Sequence, residues 1–259
     1  MASASTVDTA DQEISRLVYI YGLYDKPLMT LAFSALGQLG GRPAFEGTSL
    51  LDLGANIGTT TLTATACFGA GGSYAFEPDP VNFRNLAVNL AANGLDDSVK
   101  AFELALTDGA GTVALERSPT NAGDHRVRTG DLARESGREA IEVRAARLDD
   151  LVEGGEIDLG RVSLAWLDVQ GHEGQVLAGA TSLLERPIPV VAEYWPAGLR
   201  AAGGYQRFHE LAGGAFAGFV DLGGPRGTPG DRMRPISELA ALDGGLAAGD
   251  EHSDVLLVP

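Results

Sequence analysis

The chain has 259 residues, 44% of them apolar, and a formal net charge of −16 at pH 7, which suits one large α/β domain and argues against a polyanionic nucleic acid as partner. Its single cysteine, Cys67, excludes an internal disulfide framework, and no apolar run is long enough to span a bilayer. The amino terminus lacks the basic and apolar regions of a signal peptide, so we expect a cytoplasmic protein without a membrane partner.

The first half of the chain alternates between helical and strand patterns. We predict an N-terminal helical segment over 1–45, in which a helix from Ile14 to about Leu39 breaks or restarts at Pro27, and a single domain over 46–259. Asp79 and Pro80 are expected to begin a further helix as its N-cap and first residue. The other elements predicted here are strands Leu50–Leu53, Tyr74–Phe76 and Ala101–Leu106 and a helix at Thr59–Phe68.

The alternation pauses at about 107–160, where we predict a hairpin insert between the third and fourth strands. Its strands would be Gly111–Glu116 and Ala140–Ala145, around an irregular loop of the length that is usually functional in compact domains. The later predicted elements are strands Val162–Leu167, Pro189–Ala192, Phe216–Leu222 and Asp254–Val258 and a helix at Gly174–Leu184.

This order of elements is typical of an α/β fold with a doubly wound, mostly parallel sheet that is covered by helices on both faces. The last two strands lack a clear helical crossover, so an antiparallel pair at one edge of the sheet stays open. In such sheets, ligands bind beyond the carboxyl ends of the strands. Four acids fall at predicted strand ends and would therefore share one rim: Asp52, Glu77, Asp168 and Glu193.

The run from Ser49 to Gly58 is an apolar strand that ends in a glycine-bearing turn. Gly54 and Gly58 would let the backbone turn sharply and approach a ligand, and Asn56 tolerates a positive φ. About 20 residues separate this turn from Glu77, which is the interval at which one βαβ unit places an acid on an adenosine ribose. The turn is not G-x-G-x-x-G, and its form resembles the cofactor loop of class I S-adenosylmethionine methyltransferases.

Several motifs, in their order and spacing, resemble the FkbM-type methyltransferases over roughly Leu50 to Pro196. The motifs are Leu51–Gly58, Ala75–Pro80 followed by Asn82-Phe83, Asn121–Arg126, Arg147–Leu151, and Asp168–Glu173 leading into Val176–Ala180. The resemblance implies a seven-stranded, Rossmann-like methyltransferase sheet with S-adenosylmethionine as donor. It also implies O-methylation of a small molecule such as a sugar, a macrolide or another secondary metabolite. Whether the chain forms a homo-oligomer stays open.

The fourth-strand motif departs from the family pattern. Many members resemble Lys-x-Asp-x-Glu-Gly, whereas this chain has Trp166-Leu-Asp-Val-Gln-Gly171. A catalytic role for a lysine or a glutamate at those two places therefore cannot be transferred to this chain.

The donor site is assigned to the glycine-bearing turn and the two strands that follow it. Asp52 would hold the methionine end of the donor, directly or through water, and its structural alternative is to cap the turn. Glu77 would accept hydrogen bonds from the two ribose hydroxyls. The complete predicted cofactor set is Asp52, Gly54, Asn56, Gly58, Glu77, Asp79 and Leu106.

A hydroxyl acceptor must lose its proton, which calls for a general base. The candidates are His125 in the insert loop, His172 just past the fourth strand, and Asp168 at the end of that strand. We favour His125 because a loop residue can reach the acceptor when the site closes, although either histidine could instead be structural. The acceptor is predicted to contact a further set of polar residues: Asn121, Asp124, Arg126 and Glu193.

Two further sites remain open alternatives. The arginine-rich stretch 117–147 is either a solvated face or a site for an acceptor that carries phosphate or carboxylate. Asp168 and Glu193 could share a divalent cation, but no third ligand is identifiable, so we assign no metal site.

Two other functions compete with methyl transfer. A nicotinamide-dependent oxidoreductase could use a similar sheet, but the second G-x-G glycine and a Tyr-x-x-x-Lys pair are both missing. A methyltransferase-like module could also have kept the sheet and lost turnover.

Overall fold

The computed structural model describes residues 25–42, 44–129, 138–223, 230, 232–246 and 252–259. The part of the predicted first helix that precedes Asp25 lies outside these residues, as do residues 130–137 of the arginine-rich stretch 117–147. Within them, no helix is long and apolar enough to cross a membrane.

The elements of the described residues follow the predicted alternation. The helices are α1 (Lys26–Gln38), α2 (Thr59–Phe68), α3 (Pro80–Ala92), α4 (Leu148–Glu153), α5 (Glu173–Ala178), α6 (Thr181–Leu184), α7 (Pro196–Ala201) and α8 (Tyr205–Ala215), with 3-10 turns at Leu159–Arg161 and Ile236–Gly245. The strands are β1 (Ser49–Leu53), β2 (Gly72–Phe76), β3 (Val99–Phe102), β4 (Ala105–Leu106), β5 (Gly111–Arg117), β6 (Arg126–Val127), β7 (Glu139–Ala146), β8 (Val162–Leu167), β9 (Val190–Tyr194), β10 (Gly218–Gly223), β11 (Arg234–Pro235) and β12 (Ser253–Val258).

The main sheet has the strand order β3-β2-β1-β8-β9-β12-β10-β11 in the described part of the chain. Strands β1, β2, β3, β8 and β9 pair in parallel, whereas β12 runs antiparallel to both β9 and β10. The sheet is therefore doubly wound and mostly parallel, as predicted, with an antiparallel strand near one edge. The prediction of seven strands is wrong by one, because β11 adds a two-residue pairing at the edge. Its Pro235 lacks an N–H and suits an edge position.

The predicted third strand is divided between two sheets. Val99–Phe102 pairs with β2 in the main sheet, whereas Ala105–Leu106 pairs with β7 in a second sheet, which has the order β4-β7-β5-β6 in the described residues. The predicted hairpin strands β5 and β7 are antiparallel neighbours in this second sheet. The insert therefore begins directly beside the carboxyl end of β3.

Two apolar cores cover the opposite faces of the main sheet. Side chains alternate along β1, so Leu50 packs under α1 while Leu51 and Leu53 pack in the core on the other face. The predicted helix Gly174–Leu184 is divided into α5 and α6 at Gly179 and Ala180. A Cβ at Gly179 would overlap the carbonyl oxygen of Thr107 at the start of the insert, so this position requires glycine. This close approach ties the insert to the main sheet.

Candidate active site

The turn after β1 adopts left-handed backbone conformations at three residues. The φ angles are +109° at Gly54, +50° at Asn56 and +92° at Gly58. A Cβ at Gly54 would overlap the carbonyl oxygen of Asp168, and one at Gly58 would lie 2.7 Å from Cδ1 of Leu86. The two glycines are therefore required by their backbone conformations and by packing within the protein.

Glu77, at the carboxyl end of β2, is 5% exposed and lines a cleft beyond the strand ends. Its Oε2 accepts from the backbone N–H of Asn56 at 3.0 Å, and its Oε1 accepts from that of Asp79 at 2.7 Å. Burial raises the pKa of Glu77 to about 8. A carboxylate offers about four acceptor positions, so this fixed group retains capacity for the hydroxyls of a ribose.

Asp79 is fully buried and acts within the protein. Its Oδ1 accepts from the backbone N–H groups of Val81 and Asn82 and so caps α3, as predicted. Arg117 donates to both of its oxygens, at 2.6 and 3.2 Å. Although burial opposes it, this ion pair holds the pKa of Asp79 below its usual range. Asp79 thus joins β2 to the insert and does not line the cleft.

Asp52 faces α2 and not the cleft. It is fully buried, and its Oδ2 accepts from the Thr61 hydroxyl at 2.6 Å. Within the described residues, its Oδ1 has no hydrogen-bond partner. Burial, with the charges of Asp25 and Asp168 nearby, raises the pKa of Asp52 to about 7. The structure therefore places Asp52 behind the site wall, where it supports the turn after β1.

The cleft is open to solvent. It lies at the carboxyl ends of the parallel strands, between the turn after β1, the insert and the end of β8. Half of the predicted site residues line it: Gly54, Asn56, Glu77, Leu106, His125, Asp168 and His172. The remaining predicted residues are not among those that line it: Asp52, Gly58, Asp79, Asn121, Asp124, Arg126 and Glu193.

His125 lies on the cleft wall with its ring already engaged. Its Nδ1 accepts from the backbone N–H of Ser118 at 3.1 Å, so the neutral ring carries its proton on Nε2. That Nε2 lies 4.0 Å from Oδ2 of Asp79. Burial lowers the pKa of His125 despite this carboxylate. In this arrangement the ring has no spare lone pair for the acceptor proton, which argues against His125 as the base.

His172 is also held within the protein. It is 2% exposed, and its Nε2 lies 3.0 Å from the hydroxyl of Thr107. His172 is the N-cap residue of α5, and its side chain makes no capping bond to the helix. Burial lowers the pKa of His172 to about 4, which makes the ring a weak base at neutral pH.

The insert loop is docked on the side of the cleft that is formed by the turn after β1 and by α3. The carbonyl oxygen of Ala122 accepts from the side-chain amides of Asn56 at 3.1 Å and Asn82 at 2.9 Å. Asn121 shapes this loop, since its Oδ1 accepts from the N–H of Gly123 at 2.9 Å. This turn bond uses the side-chain oxygen of Asn121.

The charged residues of the insert neutralise one another. Asp124 binds Arg126 at 2.7 Å and Arg138 at 2.5 Å, and the Arg126 guanidinium lies 4.6 Å from the centre of the Trp195 ring. Arg117 is paired with Asp79. The structure therefore favours a paired, structural role for these arginines over an anion site.

A group of polar side chains lies at the carboxyl ends of β8 and β9. Nε2 of Gln170 donates to Oδ1 of Asp168 at 2.7 Å and to Oε2 of Glu193 at 3.1 Å. Partial burial raises the pKa of Asp168 and raises that of Glu193 well above its usual range. In the described residues, no group of three or more His, Cys, Asp or Glu is arranged to hold a metal ion.

Sequence reasoning missed several residues of this site. Asp25, next to the predicted break at Pro27, reaches the cleft and accepts from the Thr60 hydroxyl at 3.0 Å. Glu173 is fully buried and accepts from the N–H groups of Val169 and Gly171, which fixes the loop after β8. An acid near a proline or a histidine was the available signal in each case. The partner of Asp25 lies 35 residues away, whereas the partners of Glu173 lie within four residues of it.

A sequence profile of the FkbM methyltransferase domain matches residues 52–207, more than half of the chain. The chain is 32% identical over 151 residues to the hexuronic acid methyltransferase AglP of Haloferax volcanii, covering 58% of this chain and 57% of that protein. It is 32% identical over 176 residues to the methyltransferase sdnD of Sordaria araneosa, covering 58% of this chain and 68% of that protein.

It is also 29% identical over 161 residues to the 2-O-methyltransferase NoeI of Sinorhizobium fredii, covering 56% of this chain and 62% of that protein. Among solved structures, an O-methyltransferase from Bacillus cereus in complex with SAH is similar with a TM-score of 0.49 and 12% identity, covering 98% of this chain and 92% of that one.

Proposed function

The chain belongs to the FkbM methyltransferase family, and we propose that it is an S-adenosylmethionine-dependent O-methyltransferase that acts on a hydroxyl of a small molecule. The observation that carries the proposal is the buried carboxylate of Glu77, which two backbone N–H groups hold at the cleft. It lies beyond the ends of parallel strands, where α/β sheets bind their ligands.

The donor side of the cleft is formed by Glu77 and the turn after β1. Glu77 accepts from the ribose hydroxyls, while Asn56 is fixed by its bonds to Glu77 and Ala122. The apolar side chains of Phe76 and Leu106 line the same cleft and suit an adenine ring. When bound, S-adenosylmethionine supplies an electrophilic methyl group on a sulfonium.

Asp168 is the residue that we assign as general base. It lines the cleft, whereas Glu193 does not, and both histidine rings are engaged with protein groups. The carboxylate of Asp168 takes the proton of the acceptor hydroxyl as the oxygen bonds to the methyl carbon and the carbon–sulfur bond breaks. The products are a methyl ether, a neutral thioether and the carboxylic acid of Asp168.

The acceptor in this proposal is neutral and hydroxylated. The names of two relatives, a hexuronic acid methyltransferase and a 2-O-methyltransferase, motivate a sugar as its class. In this chain, however, the arginines around His125 are paired with Asp79 and Asp124. A carboxylate on the acceptor would have to compete with those bonds, so a neutral sugar is favoured over a hexuronic acid.

The test is calorimetry with S-adenosylmethionine and with NAD, followed by a mass-spectrometric screen of hydroxylated sugars and macrolides for one added methyl group. We expect the first ligand to bind, NAD not to bind, and a neutral glycoside to be methylated. Binding of NAD alone would favour the oxidoreductase. Donor binding without transfer to any acceptor would favour a module that has lost turnover.

A further inference from the structure

Gln170 makes two hydrogen bonds with one nitrogen atom. Its Nε2 donates to Asp168 on the same loop and to Glu193 at the end of the neighbouring strand β9. A carboxamide nitrogen carries two hydrogens, so both are used by these carboxyl groups. The two acids are thereby held within two hydrogen-bond lengths of each other.

The backbone of Gln170 is fixed in the conformation that allows this bridge. Its φ angle is +54°, in the left-handed region, where a residue other than glycine needs support from its surroundings. The support comes from Glu173, whose Oε1 accepts from the N–H of Val169 at 3.2 Å and from that of Gly171 at 3.1 Å. The residues on both sides of Gln170 are therefore held.

The bridged pair faces a surplus of negative charge. Asp254 on β12 is the direct register partner of Glu193. The other acids that act on the pair and its neighbours are Asp25 before α1, Asp52 on β1, Glu173 on α5 and Asp221 on β10. Within the described residues, His252 is a basic group that faces them, and its Nε2 lies 3.7 Å from Oε1 of Glu193.

We propose that Gln170 is a positioning residue that makes Asp168 and Glu193 a single proton-accepting pair, with a neutral amide donor between two acids. A hydrogen bond donated to a carboxylate favours its charged form. An amide provides two such bonds and adds no charge, whereas a glutamate here would add a further acid to the cluster. Gln170 thereby keeps Asp168 able to accept a proton despite its acidic surroundings.

This inference rests on the proposed function for the role of Asp168 in turnover, but the pairing itself can be measured without an acceptor. Two acids this close interact electrostatically, so their titration belongs to the pair and not to either residue. Carbon NMR of the full chain, labelled at the Asp and Glu carboxyl carbons, reports that titration. The variants Asp168→Asn and Glu193→Gln assign the two signals.

The decisive variant is Gln170→Met, which is similar in size and has no donor. We expect the apparent pKa values of both carboxyls to rise by about one unit or more, because both lose a bond that favours the charged form. Gln170→Glu should instead add a third coupled titration to the pair. The matched control is Gln206→Met, which removes a similar bond from the exposed Glu210 and should leave both signals unchanged.

Unchanged titration of Asp168 and Glu193 in Gln170→Met would overturn the proposal, as would Gln170→Glu with two independent carboxyls. The same change in titration in the Gln206→Met control would also overturn the proposal, because the effect would then not be specific to the bonds made by Gln170. With an acceptor in hand, Gln170→Met should move the acid limb of kcat/KM to higher pH and recover activity as the pH is raised. A purely structural residue would lower the rate at every pH.

Calorimetry with S-adenosylhomocysteine separates the two proposals. Affinity for this ligand should be the same in the wild type and in Gln170→Met, because the donor side of the cleft is unchanged. If the wild type does not bind it, the proposed function fails, while the NMR titration still decides whether the pair exists.

Discussion

The Nδ1 atom of His125 accepts a hydrogen bond from the backbone N–H of Ser118, at 3.1 Å. Because this bond uses the lone pair of the neutral ring, the ring cannot accept a proton from a substrate in this arrangement. Asp79, which is itself bound to Arg117, faces the other ring nitrogen at 4.0 Å. The imidazole therefore joins the start of the insert loop to the end of β2. Its position on the cleft wall reflects this link.

The first prediction separates the two candidate bases. His125→Ala should change turnover by less than about tenfold, whereas Asp168→Asn should lose about 10²- to 10⁴-fold, the usual contribution of a positioned base. Both variants should bind S-adenosylhomocysteine like the wild type. Asp96→Asn, at an exposed site, is the control. A normal turnover number for Asp168→Asn would remove the base assignment.

The second prediction concerns the donor. Glu77→Ala should weaken S-adenosylhomocysteine binding by about tenfold, since it removes the two ribose hydrogen bonds, each of which contributes about 0.5–1.5 kcal/mol. Glu103→Ala, an exposed acid just past the neighbouring strand β3, should have no effect. Calorimetry gives both affinities, and circular dichroism checks that each variant is folded. Equal affinity in the two variants would contradict the donor site.

The third prediction concerns the docked insert loop. Asn82→Ala removes a 2.9 Å bond to the carbonyl of Ala122, so the amides of 121–125 should exchange faster with solvent. Asn85→Ala on the same helix should leave their exchange rates unchanged. Adding S-adenosylhomocysteine should slow exchange in the wild type, because the ligand would occupy the cleft that this loop covers. Identical rates in all samples would show that the loop is not held by this contact.

The fourth prediction concerns the bond between His172 and Thr107, which joins α5 to the start of the insert. Thr107→Val and His172→Phe should each lower the free energy of unfolding, and their double-mutant cycle should give a coupling of about 1 kcal/mol. Urea unfolding measures all four proteins. Additive effects would mean that the 3.0 Å contact contributes nothing to stability.

The fifth prediction concerns pH. Burial raises the pKa values of Asp52, Glu77 and Glu173 to about 7, 8 and 7 in the folded chain. The folded state therefore binds more protons than the unfolded state between about pH 4 and 8, where free carboxyls are already ionised, and its stability falls as the pH rises through that window. The unfolding temperature should be higher at pH 5.5 than at pH 8.5.

Glu173→Gln provides the check on this mechanism. Its amide oxygen can still accept from Val169 and Gly171, but the group no longer ionises. The variant should therefore lose less stability than the wild type between the two pH values. A wild type that becomes more stable as the pH rises would refute the prediction.

Local patterns were sufficient to predict most of the sheet and the edge at which the site lies. Asp79 and Pro80 begin α3 as expected, because an acceptor side chain and a fixed φ act within one turn of the chain. The buried apolar runs gave β1 and β8 for a similarly local reason. Parallel winding then places Glu77 and Asp168 on one edge, whatever the details of the loops.

The chemistry within that edge was decided by contacts between residues far apart in the chain. Gly54 is required by the backbone of Asp168, and Gln170 bridges to Glu193, which lies on another strand. Whether His125 has a lone pair to offer depends on its bond to Ser118. Such bonds are made or lost when the distance between two atoms changes by a few tenths of an ångström, and periodicity and spacing do not encode differences of this size. The tertiary structure therefore decides which acid can take the proton.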